Sequence, residues 1–180
     1  NGKSTTTALL GHVMQTSGRD AEIGGNLGIP VLTLQPLGAE GVYVIEMSSF
    51  QLELTPSATF DVAVLLNISA DHLARHGGME GYIAAKRAIF QRQTKPRAAI
   101  IGTDDEICRN IYDQLRRADE QLVIPVSGYQ QTRGGVYAID GFLFDDTEDA
   151  ETPICNLRQN PTLLGSHNGQ NAAAAYAASK

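Results

Sequence analysis

Apolar positions along the chain alternate between two spacings, and each spacing predicts an element. Leu9, Leu10, Val13 and Met14 recur at helical spacing, so residues 3–17 are expected to be a helix that stops at Gly18. Residues 22–30 hold Gly24-Gly25-Asn26 and Gly28 and read as a tight loop, with Pro30 opening a short helix. Val42-Tyr43-Val44-Ile45 and Val62-Ala63-Val64-Leu65-Leu66 are unbroken apolar runs, as expected of strands covered on both faces. Residues 79–92 return to helical spacing through Ile83, Ala84, Ala88 and Ile89. A third strand is expected at 98–101 and a fourth at 122–124. Between them lies a helix running to Arg117, whose acidic start Asp104-Asp105-Glu106 suits the helix dipole.

The rhythm then changes. Residues 136–139 and 142–144 flank Asp140-Gly141, the pattern of a hairpin on a type I′ turn. Residues 145–151 are acidic and expected to be exposed, and 168–180 is an Ala-rich helix. The alternation of strands and helices predicts an α/β fold. Its core is a doubly wound, mostly parallel sheet flanked by helices, with a small antiparallel hairpin region.

Composition narrows the function classes. A length of 180 residues fits one domain. With 14 Lys plus Arg against 20 Asp plus Glu, the net charge of −6 argues against a bulk electrostatic grip on nucleic acid. No apolar run approaches the roughly 20 residues of a membrane-spanning helix. Cys108 and Cys155 are too few for a disulfide framework and fit a reducing cytoplasm as unreactive thiols. The chain opens on Asn1 and closes inside a helical pattern, so it is expected to be an excised piece of a longer protein.

Five segments carry candidate chemistry, and four of them have two readings. Gly2-Lys3-Ser4-Thr5 at a helix start is either the second half of a phosphate-binding P-loop or an ordinary start capped by a hydroxyl. In the first reading backbone N–H groups cradle phosphate, Lys3 adds charge and Ser4 or Thr5 offers a hydroxyl to Mg²⁺. Glu46, ending a strand before Ser48-Ser49, is either an Mg²⁺ anchor or a solvated acid beside a capping serine. Asp71-His72 is either a ligand and its orienting carboxylate or a surface pair. Lys86 has the pattern of a solvated helix lysine. Asn168 and Asn171, three apart on one helix face, either clamp a base or ribose or serve capping. His12 reads as part of a helix face, and His76 shows no setting comparable to that of His72.

The order of these segments resembles the Mur ligase family, cytoplasmic ATP-dependent amide ligases of peptidoglycan precursor synthesis. The resemblance rests on Asn1 to Thr7, Gly24 to Gly28, Glu46 to Glu53, Asn67 to Leu73, Tyr82 with Lys86, and His167-Asn168 with Asn171. It implies the central ATP-binding domain, over residues 1–180, without the flanking uridine-diphosphate-binding and C-terminal domains, and a fragment unable to ligate alone. Within the family, Ser48 to Glu53 and Asn67 to His76 most resemble the members that add D-glutamate to UDP-N-acetylmuramoyl-L-alanine.

The resemblance implies ATP and Mg²⁺ as cofactors. Gly2, Lys3, Ser4 and Thr5 would meet the phosphates, and Asn168 and Asn171 the adenine and ribose. Ser4, Glu46, His72 and Lys86 would serve the metal, Lys86 as a carbamate. Lys3, His72 and Lys86 would be catalytic, and Asn26 and Ser49 would lie near the acyl substrate. The protein is expected to be a cytoplasmic monomer acting in cell-wall synthesis, and so in cell shape and division, with no nucleic-acid or membrane partner. Another Mur ligase, a folylpolyglutamate synthase, whose family matches these segments less well, and a non-catalytic nucleotide-binding module are the alternatives.

Overall fold

The computed structural model describes residues 1–26, 28–71, 73–91 and 93–180. Helix α1 spans Lys3–Thr16, and strand β1, Ala21–Gly25, follows it directly. The expected loop over 22–30 is therefore half strand. Pairing with β2 (Val42–Glu46) overrides the low strand propensity of its glycines. These two strands run parallel as a two-stranded sheet. A 3₁₀ turn over Val31–Thr33, just after Pro30, takes the place of the expected short helix.

The main sheet has six strands in sequence order. They are β3 (Phe60–Leu65), β4 (Gln93–Gly102), β5 (Leu122–Ser127), β6 (Val136–Ile139), β7 (Phe142–Asp145) and β8 (Thr152–Asn156). The pairs from β3 to β6 are parallel, and β6–β7 and β7–β8 are antiparallel. The hairpin turn is as expected, with Asp140 and Gly141 at φ +49° and +75°, the two positive values a type I′ turn requires. The third antiparallel strand, β8, breaks the sequence pattern because it carries Pro153, which lies opposite Phe144 at a register shift.

Helices cover both faces. Ala99 and Ile101 of β4 face α4 (Met79–Gln91) and α5 (Glu106–Ala118), packing with Tyr82, Phe90, Cys108 and Ile111. Ile100, between them, faces the other way and packs with Ile124, Val126, Val136 and the alanines of α6 (Ser166–Ser179). The period-two alternation of a strand delivers this division, so the sheet is doubly wound as expected. Asp145 departs from the expected exposed acidic run. It closes β7 and is buried, accepting hydrogen bonds from Lys180 Nζ at 2.8 Å, Tyr176 Oη at 3.1 Å and Thr147 Oγ1 at 2.7 Å.

Two short helices complete the fold, α2 (Ser49–Leu54) and α3 (Leu73–His76). Helix α2 forms because Ser48 accepts from the Gln51 N–H while the Gln51 side chain accepts from the Ser48 N–H, a reciprocal cap.

Candidate functional site

The carboxyl ends of the parallel strands and the amino end of α1 gather most of the candidate residues. Gly2 precedes α1 at φ +82° and abuts Asn171, whose Oδ1 would lie 2.2 Å from a Cβ at that position. No side chain caps α1, so its first N–H groups are left for an outside acceptor. Lys3 reaches Glu46, with Nζ 4.0 Å from Oε1. Ser4 is exposed, Thr5 is partly exposed, and Thr6 is buried, donating from Oγ1 to Asn171 Oδ1 at 3.3 Å.

Glu46 ends β2 and is 5% exposed, so it is not the solvated acid of the plainer reading. Its backbone carbonyl accepts from the Asn26 N–H at 2.8 Å, and its Oε1 accepts from Asn26 Nδ2 at 3.4 Å. The plainer reading is right about capping: Ser48 caps α2, while Ser49 is buried and bonded to His76 at 3.0 Å. Asn168 is not the cap of α6, which begins at Ser166 with Gly165 before it. Asn168 Nδ2 turns back to the carbonyls of Thr162 and Leu164, and its Oδ1 accepts from Asn171 Nδ2 at 3.2 Å. His72 lies outside the described residues.

Lys86 comes to the same region from α4. Its Nζ stands 4.9 Å above the Tyr82 ring. Burial, and then the charge of Lys3, push its ammonium below the usual lysine range, while Asp71 opposes this. The uncapped start of α1 and the Lys3 ammonium make a local positive centre in a chain of net charge −6, and Lys86 is close enough to feel the Lys3 charge. Such a centre suits a polyanion. Among the described residues no group of three or more His, Cys, Asp or Glu side chains cages a metal. A single enclosed carboxylate is nonetheless what Mg²⁺ uses when phosphates and waters supply its other ligands, so Glu46 fits a nucleotide-borne Mg²⁺.

Behind this centre a polar chain links the strand ends. Asn67, after β3, donates from Nδ2 to the Asn1 carbonyl at 3.1 Å and to Gln170 Oε1 at 3.4 Å. Gln170 Nε2 donates to Asp104 Oδ2 at 2.9 Å, and Asp104 also accepts from Ser127 Oγ and the Gly128 N–H. Asp104 and Gln170 were not legible as site residues, because their partners come from four separate segments. A cavity of about 460 Å³ lined by Arg116 and by residues 119–123 carries none of the candidates. No helix among the described residues is long and apolar enough to cross a membrane. Cys108 and Cys155 are both free, and burial raises the Cys108 thiol well above its ordinary value.

The fold and these strand ends define a doubly wound α/β domain built around a glycine-led helix start. Residues 1–179 match the Mur ligase middle domain, and the chain belongs to the Mur ligase family. It is 53% identical over 178 residues to the UDP-N-acetylmuramoylalanine--D-glutamate ligase of Rhodospirillum rubrum, which spans 99% of this chain and 37% of that protein. The protein of the same name from Caulobacter sp. (strain K31) is 52% identical over 180 residues, 100% of this chain and 38% of its own length. The chain thus spans less than two fifths of these relatives. Among solved structures, a UDP-N-acetylmuramoyl-L-alanyl-D-glutamate--2,6-diaminopimelate ligase superposes with a TM-score of 0.72 at 21% identity, over 99% of this chain and 41% of its own. The MurF ligase of Thermotoga maritima in complex with ADP gives 0.66 at 18% identity, over 98% and 42%.

Proposed function

We propose that this chain is the ATP-handling domain of a cytoplasmic ligase that joins D-glutamate to UDP-N-acetylmuramoyl-L-alanine in peptidoglycan precursor synthesis. The observation that carries the reading is the meeting of the uncapped α1 start and Lys3 with Glu46 at the end of β2, with Lys86 close enough to feel the Lys3 charge. Relatives about half identical along nearly the whole chain, both named for D-glutamate ligation, supply the substrate class.

In this reading the N–H groups at the start of α1 and the Lys3 ammonium hold the β- and γ-phosphates of ATP. The substrate carboxylate attacks the γ-phosphorus in line, ADP leaves, and an acyl phosphate forms. The amine of D-glutamate then attacks the acyl carbon, phosphate departs, and the amide remains. Ser4, Glu46, His72 and a carbamate on Lys86 would hold Mg²⁺, which supplies charge neutralisation on the phosphates. Lys86 is compatible with that modification, since only the neutral amine adds CO₂ and burial shifts its titration downward, toward that form. Asn26 and Ser49 lie on the acyl-substrate side, and Asn168 and Asn171 receive adenine and ribose. The flanking parts of a full-length ligase would bring the uridine diphosphate and the amino acid.

The test measures phosphate release by the full-length protein. Release should require ATP, Mg²⁺, UDP-N-acetylmuramoyl-L-alanine and D-glutamate together, and stop on chelation by EDTA. Release with a different amino acid, or with a folate substrate, would overturn the substrate assignment. Lys3→Ala should weaken ATP binding by about tenfold or more, as loss of a charged phosphate contact does. Unchanged affinity by calorimetry would remove Lys3 from the phosphate site.

A further inference from the structure

His76 ends α3 with a side chain fully shielded from solvent. Both ring nitrogens are engaged, Nδ1 with Glu53 Oε1 at 2.8 Å and Nε2 with Ser49 Oγ at 3.0 Å. A carboxylate only accepts, so Nδ1 carries the proton, and in the neutral ring Nε2 accepts from the Ser49 hydroxyl. The ring itself is packed by Phe50, stacked at 5.4 Å between centroids, and by Tyr82 at 5.3 Å. Tyr82 in turn lies beneath Lys86 Nζ, four residues further along α4. An unbroken line of contacts therefore runs from α2 through His76 and Tyr82 to Lys86.

The line crosses a gap in the backbone ladders. Strand β2, which ends at Glu46 and leads into α2, pairs with β1 alone, while β3 pairs with β4 alone among the described residues. Among the described residues no strand pairing links Glu46 to the loop and helix that carry Lys86. We propose that His76 is a positioning residue. Anchored to α2 by Ser49 and Glu53, it holds the Tyr82 ring and thereby sets where Lys86 stands relative to Lys3 and Glu46. This inference rests on reading Lys86 as a site lysine, and it assigns His76 a role through Lys86 alone, with no contact to substrate.

The experiment labels lysines of the full-length protein with an amine-acetylating reagent, without nucleotide, and reads each site by mass spectrometry with Lys180 as the internal reference. Glu53→Ala removes one anchor from a carboxylate whose side chain is 38% exposed, at little risk to folding. Lys86 labelling should rise severalfold in Glu53→Ala and in His76→Ala. It should return to the wild-type level in Glu53→Gln, whose amide oxygen still accepts from Nδ1. In turnover, Glu53→Ala should lower kcat by about tenfold or more with the KM for ATP little changed, since a displaced group costs rate rather than affinity. Wild-type labelling of Lys86 in a folded Glu53→Ala protein would overturn the proposal. If His76→Ala fails to fold, the pair Glu53→Ala and Glu53→Gln decides the matter. The labelling is read without turnover, so a failure of the ligase assay leaves it decisive.

Discussion

Gly25 sits at φ +120° where β1 meets the end of β2, and a Cβ there would lie 2.1 Å from the Glu46 carbonyl oxygen and 2.8 Å from its nitrogen. The obstacle is backbone, which cannot swing aside. Gly25→Ala is therefore expected to destabilise the fold by about 1–3 kcal/mol and to shift Glu46, checked by urea unfolding and by ATP affinity. The candidates that local pattern points to, Lys3 and Glu46, sit at a helix start and a strand end, whereas Lys86 has the pattern of any solvated helix lysine and is singled out by the family resemblance alone. His76 is different. Its partners lie 23 and 27 residues away, and the only trace of them in the sequence is the spacing of Ser49 and Glu53, four apart on one helix face.

At the scale of elements, α6 owes its fit to small side chains. Ala173 and Ala174 are fully enclosed, and the helix lies against α1 on one side and against the sheet on the other. Ala174→Leu would force extra volume into this contact and should cost about 1–3 kcal/mol, read as a lower denaturation midpoint. Its effect should reach the site as well, since Asn171 of the same helix bonds Thr6 and abuts Gly2. The sequence showed α6, α1, α4, α5 and the apolar strands, because these elements carry long or unbroken patterns. It hid β1 and β8, whose glycines and proline obey pairing rather than propensity. Helix α2 is six residues long, too short for periodicity, and its signature was the Ser48–Gln51 cap alone.

For the molecule as a whole, stability should depend on acid through Asp145. Burial would raise its carboxyl pKa, but hydrogen bonds from Lys180, Thr147 and Tyr176 outweigh this and hold it at about 2. A carboxyl depressed below its unfolded value stabilises the fold fully above that value, near 4, and the contribution fades as pH falls toward 2. The amount is about 2 kcal/mol. Asp145→Asn should lose it at neutral pH and show a flatter stability profile between pH 5 and about 2 than the wild type, checked by thermal melts across that range. The global charge of −6 and the positive centre around Lys3 and the α1 start are compatible because they act on different scales. Charges more than about 10 Å apart are largely screened at moderate salt, so a nucleotide at the site responds to its neighbours first.

Strand β8 pairs with β7 alone among the described residues, and its second residue, Pro153, has no N–H to offer. The terminal strand of the six-stranded sheet therefore carries one backbone donor fewer. The hairpin region thus ends the sheet as well as extending it, leaving a rim poorly suited to recruiting a strand from another molecule. Pairing of sheets edge to edge is discouraged there by a residue that is itself a poor strand former.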